Sequence, residues 1–476
     1  MVAEKLTIRN NTDKPFILKR IERFEKHKSV TSLTQNITNI TSNFTRILSN
    51  STRTNESLAV ITEDSRPVED QNDIDLRIEP FAIQRTEIRA FKSSDTERMR
   101  ITFKVEGEEH QVQVPVPTTE SATMKALTAN PMSNFTGIYI TPESYLTIFS
   151  SAHLNSWMGE LRDDTLLSAL SIPGTHNSPT CHIAAPSVRC QAVSPREQLK
   201  NGVRFFDIRV QPVYPDDAAK DEMALVHSVF SVSLSGSKYF RDLVHDIQEF
   251  LDQNPSETLI MSVKREGTGN ATDEQLSRIL AQHYANDRWW VRPKIPTLGE
   301  ARGKVVLIRR FGLNEALQKE HGGTGWGIDA ASWEDNTPNA TCPSGEICIQ
   351  DFYEVQESTN IEKKIGFVRD HIDLACRAHY PFGVQANAQE TKKYPFYINF
   401  LSASNFWSPN TWPEKIAAKV NPAAVEYICR RHRDDDGDCS TGILVTDWVG
   451  LNGDWDLVRC IVGMNAKLRM RELASA

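Results

Sequence analysis

The pattern of apolar and polar positions changes character near residue 150. Before it, apolar and polar residues alternate in DLRIEPFAIQRTEIRAF (75–91), RITFKVEGEE (100–109) and HQVQVPVPT (110–118). A period of two is the mark of half-buried strands. VEGEEHQVQV predicts a hairpin with its turn at Gly107-Glu108-Glu109, and LTIRN near the N-terminus predicts a strand that turns before Pro15. Residues 1–150 therefore read as a small antiparallel β-sandwich domain. Within it, residues 31–75 are rich in Ser, Thr and Asn and then acidic (EDSRPVEDQNDID). Such a stretch buries too little apolar surface to offset its ordering entropy, and it is expected to be a disordered insertion.

From about residue 151, continuous apolar runs alternate with amphipathic segments. FRDLVHDIQEFLDQNP (240–255) sets Phe240, Leu243, Val244, Ile247, Phe250 and Leu251 at helical spacing, and TDEQLSRILAQHY (272–284) is a second predicted helix. TLIMSVKRE (258–266), ARGKVVLIRRF (301–311), YPFYINFLS (394–402) and GILVTDWVG (442–450) carry strand-like apolar runs. Strands that are apolar on both faces belong to a parallel sheet covered by helices. The fold class is therefore α/β, a distorted TIM (β/α) barrel over residues 151–476 preceded by the sandwich. In SALSIPGTHNS (168–178) the apolar run from Leu166 to Ile172 reads as a buried strand stopped by Pro173 and Gly174. That leaves Thr175, His176, Asn177 and Ser178 on the turn beyond its C-terminal end, where parallel α/β folds open into a shared crevice.

Composition narrows the partners. The chain has 476 residues and a net charge of −8, which argues against nucleic acid, whose phosphates demand basic surface. No apolar run approaches the roughly eighteen residues needed to span a bilayer. The opening MVAEKLTIRNNTDK lacks an apolar core segment, so a cytoplasmic or peripheral-membrane location is expected, with non-conventional secretion left open. Cys181/Cys190, Cys342/Cys348 and Cys429/Cys439 could close small loops, and sequons crowd at Asn36, Asn39, Asn43, Asn50 and Asn55. With no leader sequence, free thiols and chance sequons are the favoured reading. Neither a G-x-x-x-x-G-K-[ST] loop nor a G-x-G-x-x-G turn occurs, so no nucleotide cofactor is expected. The acidic run DDDGD (434–438) reads as a solvated loop, because the calcium-loop pattern is incomplete.

The candidate chemistry is a set of polar residues that each end a β-like run: His176, Arg209 and Asp207 in NGVRFFDIRV, and His227 in ALVHS. SIPGTHNS, FFDIRV, LVHS, MSVKRE, ARGKVVLIRR, CIQDFY, YINFLS and VTDWVG follow one another as in the metal-independent, bacterial-type phosphatidylinositol-specific phospholipases C, and residues 155–470 resemble that family. The resemblance implies that His176 is the general base taking the proton from the inositol 2-hydroxyl. It implies that His227 is the general acid for the diacylglycerol oxygen, that Asp447 holds His176, and that Arg209 neutralises the phosphate. Lys264, Arg310, Asp351 and Tyr353 resemble the inositol-binding set, with Tyr353 stacking on the sugar. The residue types suit the reaction: imidazole titrates near 6.5, and a guanidinium offers a charged fork to two phosphate oxygens.

The resemblance also frames the metal question. Calcium-dependent relatives carry acidic ligands where Arg209 and Lys264 stand, so, although Asn177 and Asp207 would suit a cation, no metal is expected. Asn177 departs from the bacterial pattern, which has Asp there as partner of the general acid, so either catalysis is weaker or another carboxylate such as Asp207 takes over. Asp207 and Lys264 could instead form a buried structural pair. The implied products are a 1,2-cyclic inositol phosphate and diacylglycerol, from a phosphoinositide or glycosyl-inositol lipid. The protein is expected to work as a monomer at a membrane surface, with Phe406, Trp407 and Trp412 at the barrel mouth. Two other readings remain: a metal-dependent glycerophosphodiesterase or sphingomyelinase D-like barrel, and an inactive inositol-lipid-binding module.

Overall fold

The structure is a computed structural model, and it describes residues 5–25, 61, 65–90, 97–114, 122–140, 143–151, 153–185, 187–356, 359–381, 393–430 and 437–474. The first strands are β1 (Lys5–Asn11), β2 (Phe16–Glu25), β3 (Glu69–Gln71), β4 (Leu76–Ile78) and β5 (Ile83–Arg89). They continue with β6 (Glu97–Val105), β7 (Glu108–Val114), β8 (Lys125–Ala126), β9 (Phe135–Ile140) and β10 (Tyr145–Ser150). One sheet has the order β5-β1-β10-β9 and a second the order β3-β2-β6-β7-β8, with β4 also on β2. Leu6, Ile8, Leu146 and Ile148 of the first sheet join Phe16, Ile101, Phe103 and Val112 of the second in one buried apolar cluster.

Three sequence expectations change here. β1 and β10 pair in parallel, so this region is not wholly antiparallel. The β6–β7 turn falls at Glu106-Gly107, where both residues take positive φ (48° and 95°), one step before the expected Gly107-Glu108-Glu109. Two positive φ values in a row define the tight turn whose twist matches a hairpin, and Gly107 meets that need without strain. The proposed insertion at 31–75 lies mostly outside the described residues, but Glu69–Gln71 forms β3, pairing with β2 and placing Asp70 in a two-pronged contact with Arg20.

The second unit is a curled, TIM-barrel-like sheet. It comprises β11 (Ile172–Thr175), β12 (Phe205–Pro212), β13 (Met223–His227), β14 (Phe230–Ser231), β15 (Leu259–Arg265) and β16 (Trp289–Trp290). It continues through β17 (Val305–Arg310), β18 (Ile328–Asp329), β19 (Ala340–Thr341), β20 (Ile347–Gln350), β21 (Phe396–Phe400) and β22 (Ile443–Thr446). The parallel path runs β17-β15-β12-β11-β22-β21-β20, with β18 paired to the outer side of β17. Among the described strands no ladder joins β18 to β20, which leaves the barrel open on that side. Helices cover the sheet as their spacing predicts. Helix Phe240–Gln253 buries all six of its expected apolar positions, and helix Asp273–His283 begins with a capping box between Thr272 and Gln275. Among the described residues, no helix is long and apolar enough to cross a membrane.

The strand expected over 166–172 starts later. Leu167–Ala169 is a 3-10 turn, and Pro173 and Gly174 lie inside β11 rather than ending it. Ile172 N donates toward β22 (Gly442 O), so the nitrogen of Pro173 faces β12, ahead of that strand's first residue. A missing N–H costs nothing there. A Cβ on Gly174 would sit 3.0 Å from the Phe205 ring, which explains the glycine by close approach. The run 434–438 also differs. Asp438 is buried, accepts from the Tyr380 N–H at 3.0 Å and pairs with His379 and Arg471, while Asp434, Asp435 and Asp436 lie outside the described residues. All eight cysteines are free thiols.

The lower end of the barrel is fixed by a buried ion pair. Arg204 precedes β12 and Glu257 precedes β15; Nε meets Oε2 at 2.8 Å, and both side chains are fully buried. The guanidinium also donates to Leu199 O and Val203 O, and Glu257 accepts from Met158 N at 3.1 Å. Removing one member strands the other charge, a loss of about 3–5 kcal/mol. Glu257→Ala is expected to lower the unfolding free energy by that amount in a denaturant titration, with turnover per folded molecule unchanged.

Candidate active site

The upper rim collects the polar residues that end the strands. In the register of β11 and β22, Thr175 is opposite Thr446, so His176 and Asp447 occupy the next position on each chain. Asp447 Oδ1 accepts from His176 Nδ1 at 2.9 Å. The backbone of Asn177 turns left-handed there (φ 41°), and its buried side chain sets Nδ2 2.9 Å from His176 Nε2. Gln191 closes the turn by donating to both His176 O and Thr446 O. His227 ends β13, which folds back antiparallel on β12, and its ring lies edge-on to that of His176 with centroids 5.8 Å apart. Val188 O, which can only accept, lies 2.8 Å from His227 Nδ1. Nδ1 therefore carries the proton and Nε2 is left to exchange one.

Register also explains the cations. Arg209 pairs with Lys264 across β12 and β15, and Lys264 with Arg310 across β15 and β17. Side chains at one level of a parallel sheet share a face, so these three form a row at the rim while Arg309 points the other way and pairs with Asp329. Acids interleave the row. Asp207 lies 3.0 Å from Arg209 and 3.5 Å from Arg310, and Glu266 contacts Arg209 and lies 3.0 Å from Lys264. Three of the five guanidinium donors of Arg209 are thereby engaged, leaving two for a ligand. Arg310 stacks on Trp333 with its carbon 3.9 Å from the ring centre, and its buried Nε and one terminal nitrogen lack a hydrogen-bond partner. Tyr353 donates its hydroxyl to Asp335 at 2.9 Å, and Trp333 donates its indole N–H to Asp351 at 3.0 Å.

His176, His227, Arg209, Lys264, Arg310, Asp351 and Tyr353 all line one cavity of about 800 Å³. Asn177, Asp207 and Asp447 stand behind it and hold those that do. Asp207 pairs with two arginines and not with Lys264, so the alternative of a buried Asp207–Lys264 pair does not hold. Neither Asn177 nor Asp207 serves His227. Asn177 bonds to His176 and, through its N–H, to Asp207 at 3.1 Å, and the partner of His227 is a backbone carbonyl. The pocket is not simply cationic either, because each cation has an acidic neighbour.

Sequence reasoning missed Glu266, Trp333, Asp335 and Cys190. Glu266 was findable: it is two residues beyond Lys264, just past the end of β15. Cys190 sits in an irregular loop, yet its Sγ reaches 3.8 Å from His227 Nδ1. Nothing in the local pattern marks that approach.

Burial opposes charge on the histidines, but neighbouring acids prevail. Burial lowers His176, while Asp447 and then the Cys190 sulfur raise it well above its ordinary 6.5. Burial likewise lowers His227, and Cys190 raises it to a net upward shift. Burial raises Glu266, but Arg209 and Lys264 bring it down to about 2. In an NMR titration of the imidazoles, His176 is expected to titrate above 6.5, and Asp447→Asn is expected to move it down.

Residues 165–311 match the family model described as phosphatidylinositol-specific phospholipase C, X domain. The 1-phosphatidylinositol phosphodiesterase of Listeria monocytogenes is 32% identical over 208 residues, 37% of this chain and 61% of that protein. The protein of the same name from Staphylococcus aureus (strain Newman) is 27% identical over 333 residues, 65% of this chain and 94% of that protein. A solved S. aureus phosphatidylinositol-specific phospholipase C superposes with a TM-score of 0.51 at 24% identity, covering 66% of this chain and 98% of that one. That likeness establishes the TIM-barrel-like fold. Over residues 165–311, the stretch that carries His176, Arg209, His227, Lys264 and Arg310, the chain is thus similar to the phosphatidylinositol-specific phospholipase C X-domain family.

Proposed function

We propose that this protein is a phosphoric diester hydrolase that cleaves phosphatidylinositol-type lipids to a 1,2-cyclic inositol phosphate and diacylglycerol. The observation that carries the reading is the pair of edge-on imidazoles over an arginine row in one cavity, one ring held by a carboxylate and the other by a carbonyl. The curated relatives from Listeria and Staphylococcus are named for the same substrate, which supports it.

In this mechanism the inositol 2-hydroxyl attacks phosphorus as His176 Nε2 takes its proton. Asp447 steadies the imidazolium that forms. The diacylglycerol oxygen leaves with the proton from His227 Nε2. The remaining donors of Arg209 and the unmet donors of Arg310 bind the phosphate and headgroup oxygens, where electrostatic stabilisation acts most strongly. Lys264, Asp351 and Tyr353 hold the sugar. The cations at Arg209 and Lys264 disfavour a divalent ion beside them, so the reaction is assigned to side chains alone. Asn177 stands beside the base rather than the acid: its Nδ2 lies 2.9 Å from His176 Nε2, and it gives way there to the inositol 2-hydroxyl.

The rim supplies the membrane contact. Trp407 is 87% exposed, and Phe406 joins it and stacks on Phe230 at 5.9 Å. Exposed Ile183 and Leu234 lie on two adjoining loops joined by a backbone hydrogen bond. Trp412 contributes less, since its indole N–H is turned back to Phe406 O at 3.1 Å. Interfacial aromatic residues of this kind suit a headgroup layer. Residues 1–150 are read as a β-sandwich domain that packs on the barrel, whose Arg9 and Thr147 both donate to Cys429 O. The protein is taken to act as a monomer.

The test is release of cyclic inositol phosphate from phosphatidylinositol vesicles in excess chelator. Full activity is expected; loss of activity restored by a divalent ion would favour the metal-dependent reading. His176→Ala and His227→Ala are each expected to lower kcat by about a hundred- to ten-thousand-fold with the fold intact by circular dichroism. Trp407→Ala is expected to weaken vesicle binding in a sedimentation assay while leaving cleavage of soluble, short-chain substrate unchanged.

A further inference from the structure

The reacting histidines have a third neighbour that the proposed mechanism leaves unused. One nitrogen each of His176 and His227 and the sulfur of Cys190 all lie within 4.8 Å of one another. We propose that this trio is a binding site for a soft divalent metal, with zinc as its natural occupant, and that occupancy shuts the active site.

The donor set is two imidazoles and a thiol, the ligands zinc prefers, with a fourth position open to the cavity. Zinc–nitrogen and zinc–sulfur bonds place tetrahedral ligands about 3.4–3.6 Å apart, so the trio need contract by little more than an ångström. The surroundings suit a ligated imidazole. Asp447 holds the Nδ1–H of His176, as a carboxylate does for many zinc-bound histidines, which leaves Nε2 to bind once the Asn177 amide, 2.9 Å away, turns aside. Two rings crossed at 89° converge on a common point more readily than stacked rings. Access runs through the cavity, which both histidines line, while Cys190 lies buried behind them.

The chemistry of binding balances simply. The thiol of Cys190 loses its proton to solvent, both imidazoles bind as neutral bases, and a water completes the tetrahedron. No oxidation occurs. Such a metal occupies the lone pair that His176 needs to accept a proton and fixes His227, so an occupied site cannot turn over. The calcium argument does not apply here, because that site would need carboxylates where Arg209 and Lys264 stand, whereas this one uses neutral nitrogen and thiolate.

The test uses cobalt(II) as a spectroscopic stand-in for zinc on the full-length protein, kept reduced and free of chelator. One equivalent of cobalt is expected to bind with a near-ultraviolet thiolate-to-cobalt charge-transfer band and tetrahedral visible bands, and one equivalent of zinc is expected to bleach both. Cys190→Ser is expected to abolish the charge-transfer band. His227→Gln, checked for folding by circular dichroism, is expected to lose stoichiometric binding, so the result does not hang on one variant. Zinc titrated into the phosphatidylinositol assay is expected to inhibit in step with site filling and to be reversed by chelator. Only this last arm rests on the proposed lipase activity; the spectra do not. A charge-transfer band that survives Cys190→Ser, an absence of any band at saturating cobalt, or full activity with the site filled would each overturn the proposal.

Discussion

The bond between Asp447 and His176 is where fold and chemistry meet. It depends on a register: Thr175 lies beside Thr446 in adjacent parallel strands, and the next residue on each chain is the one that matters. A carboxylate buried on its own would be costly, and a buried imidazolium equally so. Set 2.9 Å apart they satisfy one another, and the imidazole is fixed in ring orientation and tautomer. Pro173 and Gly174 make the register possible. The proline sits where no N–H is wanted, and the glycine lets β11 approach the Phe205 ring of β12.

The same logic of adjacent strands sets the rest of the rim. Arg209, Lys264 and Arg310 stand level because β12, β15 and β17 run in register, and three cations so close would repel strongly without relief. Asp207 lies behind the row and Glu266 at its edge, each touching two cations. The result is a cluster near charge balance that keeps particular donors unmet. A substrate phosphate then replaces missing hydrogen bonds and is not merely drawn to net positive charge, which favours ordered binding over simple attraction.

Much of this was legible in the chain. Continuous apolar strands, the amphipathic helix at 240–253 and the polar residues at strand ends all follow from short-range patterning, and strand ends are where a parallel sheet exposes them. What escaped depends on long-range placement. The pairing of Asp207 with arginines rather than Lys264, and of His227 with Val188 O rather than a carboxylate, is decided by loops whose paths no local pattern encodes. Cys190 lies fourteen positions after His176 in irregular chain, so its approach to both rings could not be inferred. β11 was misplaced because the apolar run before it supports either a strand or a tight turn; only its neighbours decide. The parallel pairing of β1 with β10 was hidden for the same reason, since alternation fixes a strand's faces but not the direction of its partner.

The division of labour between the two imidazoles is the central claim, and leaving-group chemistry tests it most directly. An aryl phosphodiester of inositol expels a phenolate that needs no proton, whereas the natural lipid expels an alkoxide that does. His227→Ala should therefore recover most of its lost rate on the aryl substrate, and His176→Ala should remain impaired on both, because the 2-hydroxyl must still be deprotonated. If both variants lose the same factor on both substrates, or if His176→Ala is the one restored, the assignment of base and acid is wrong.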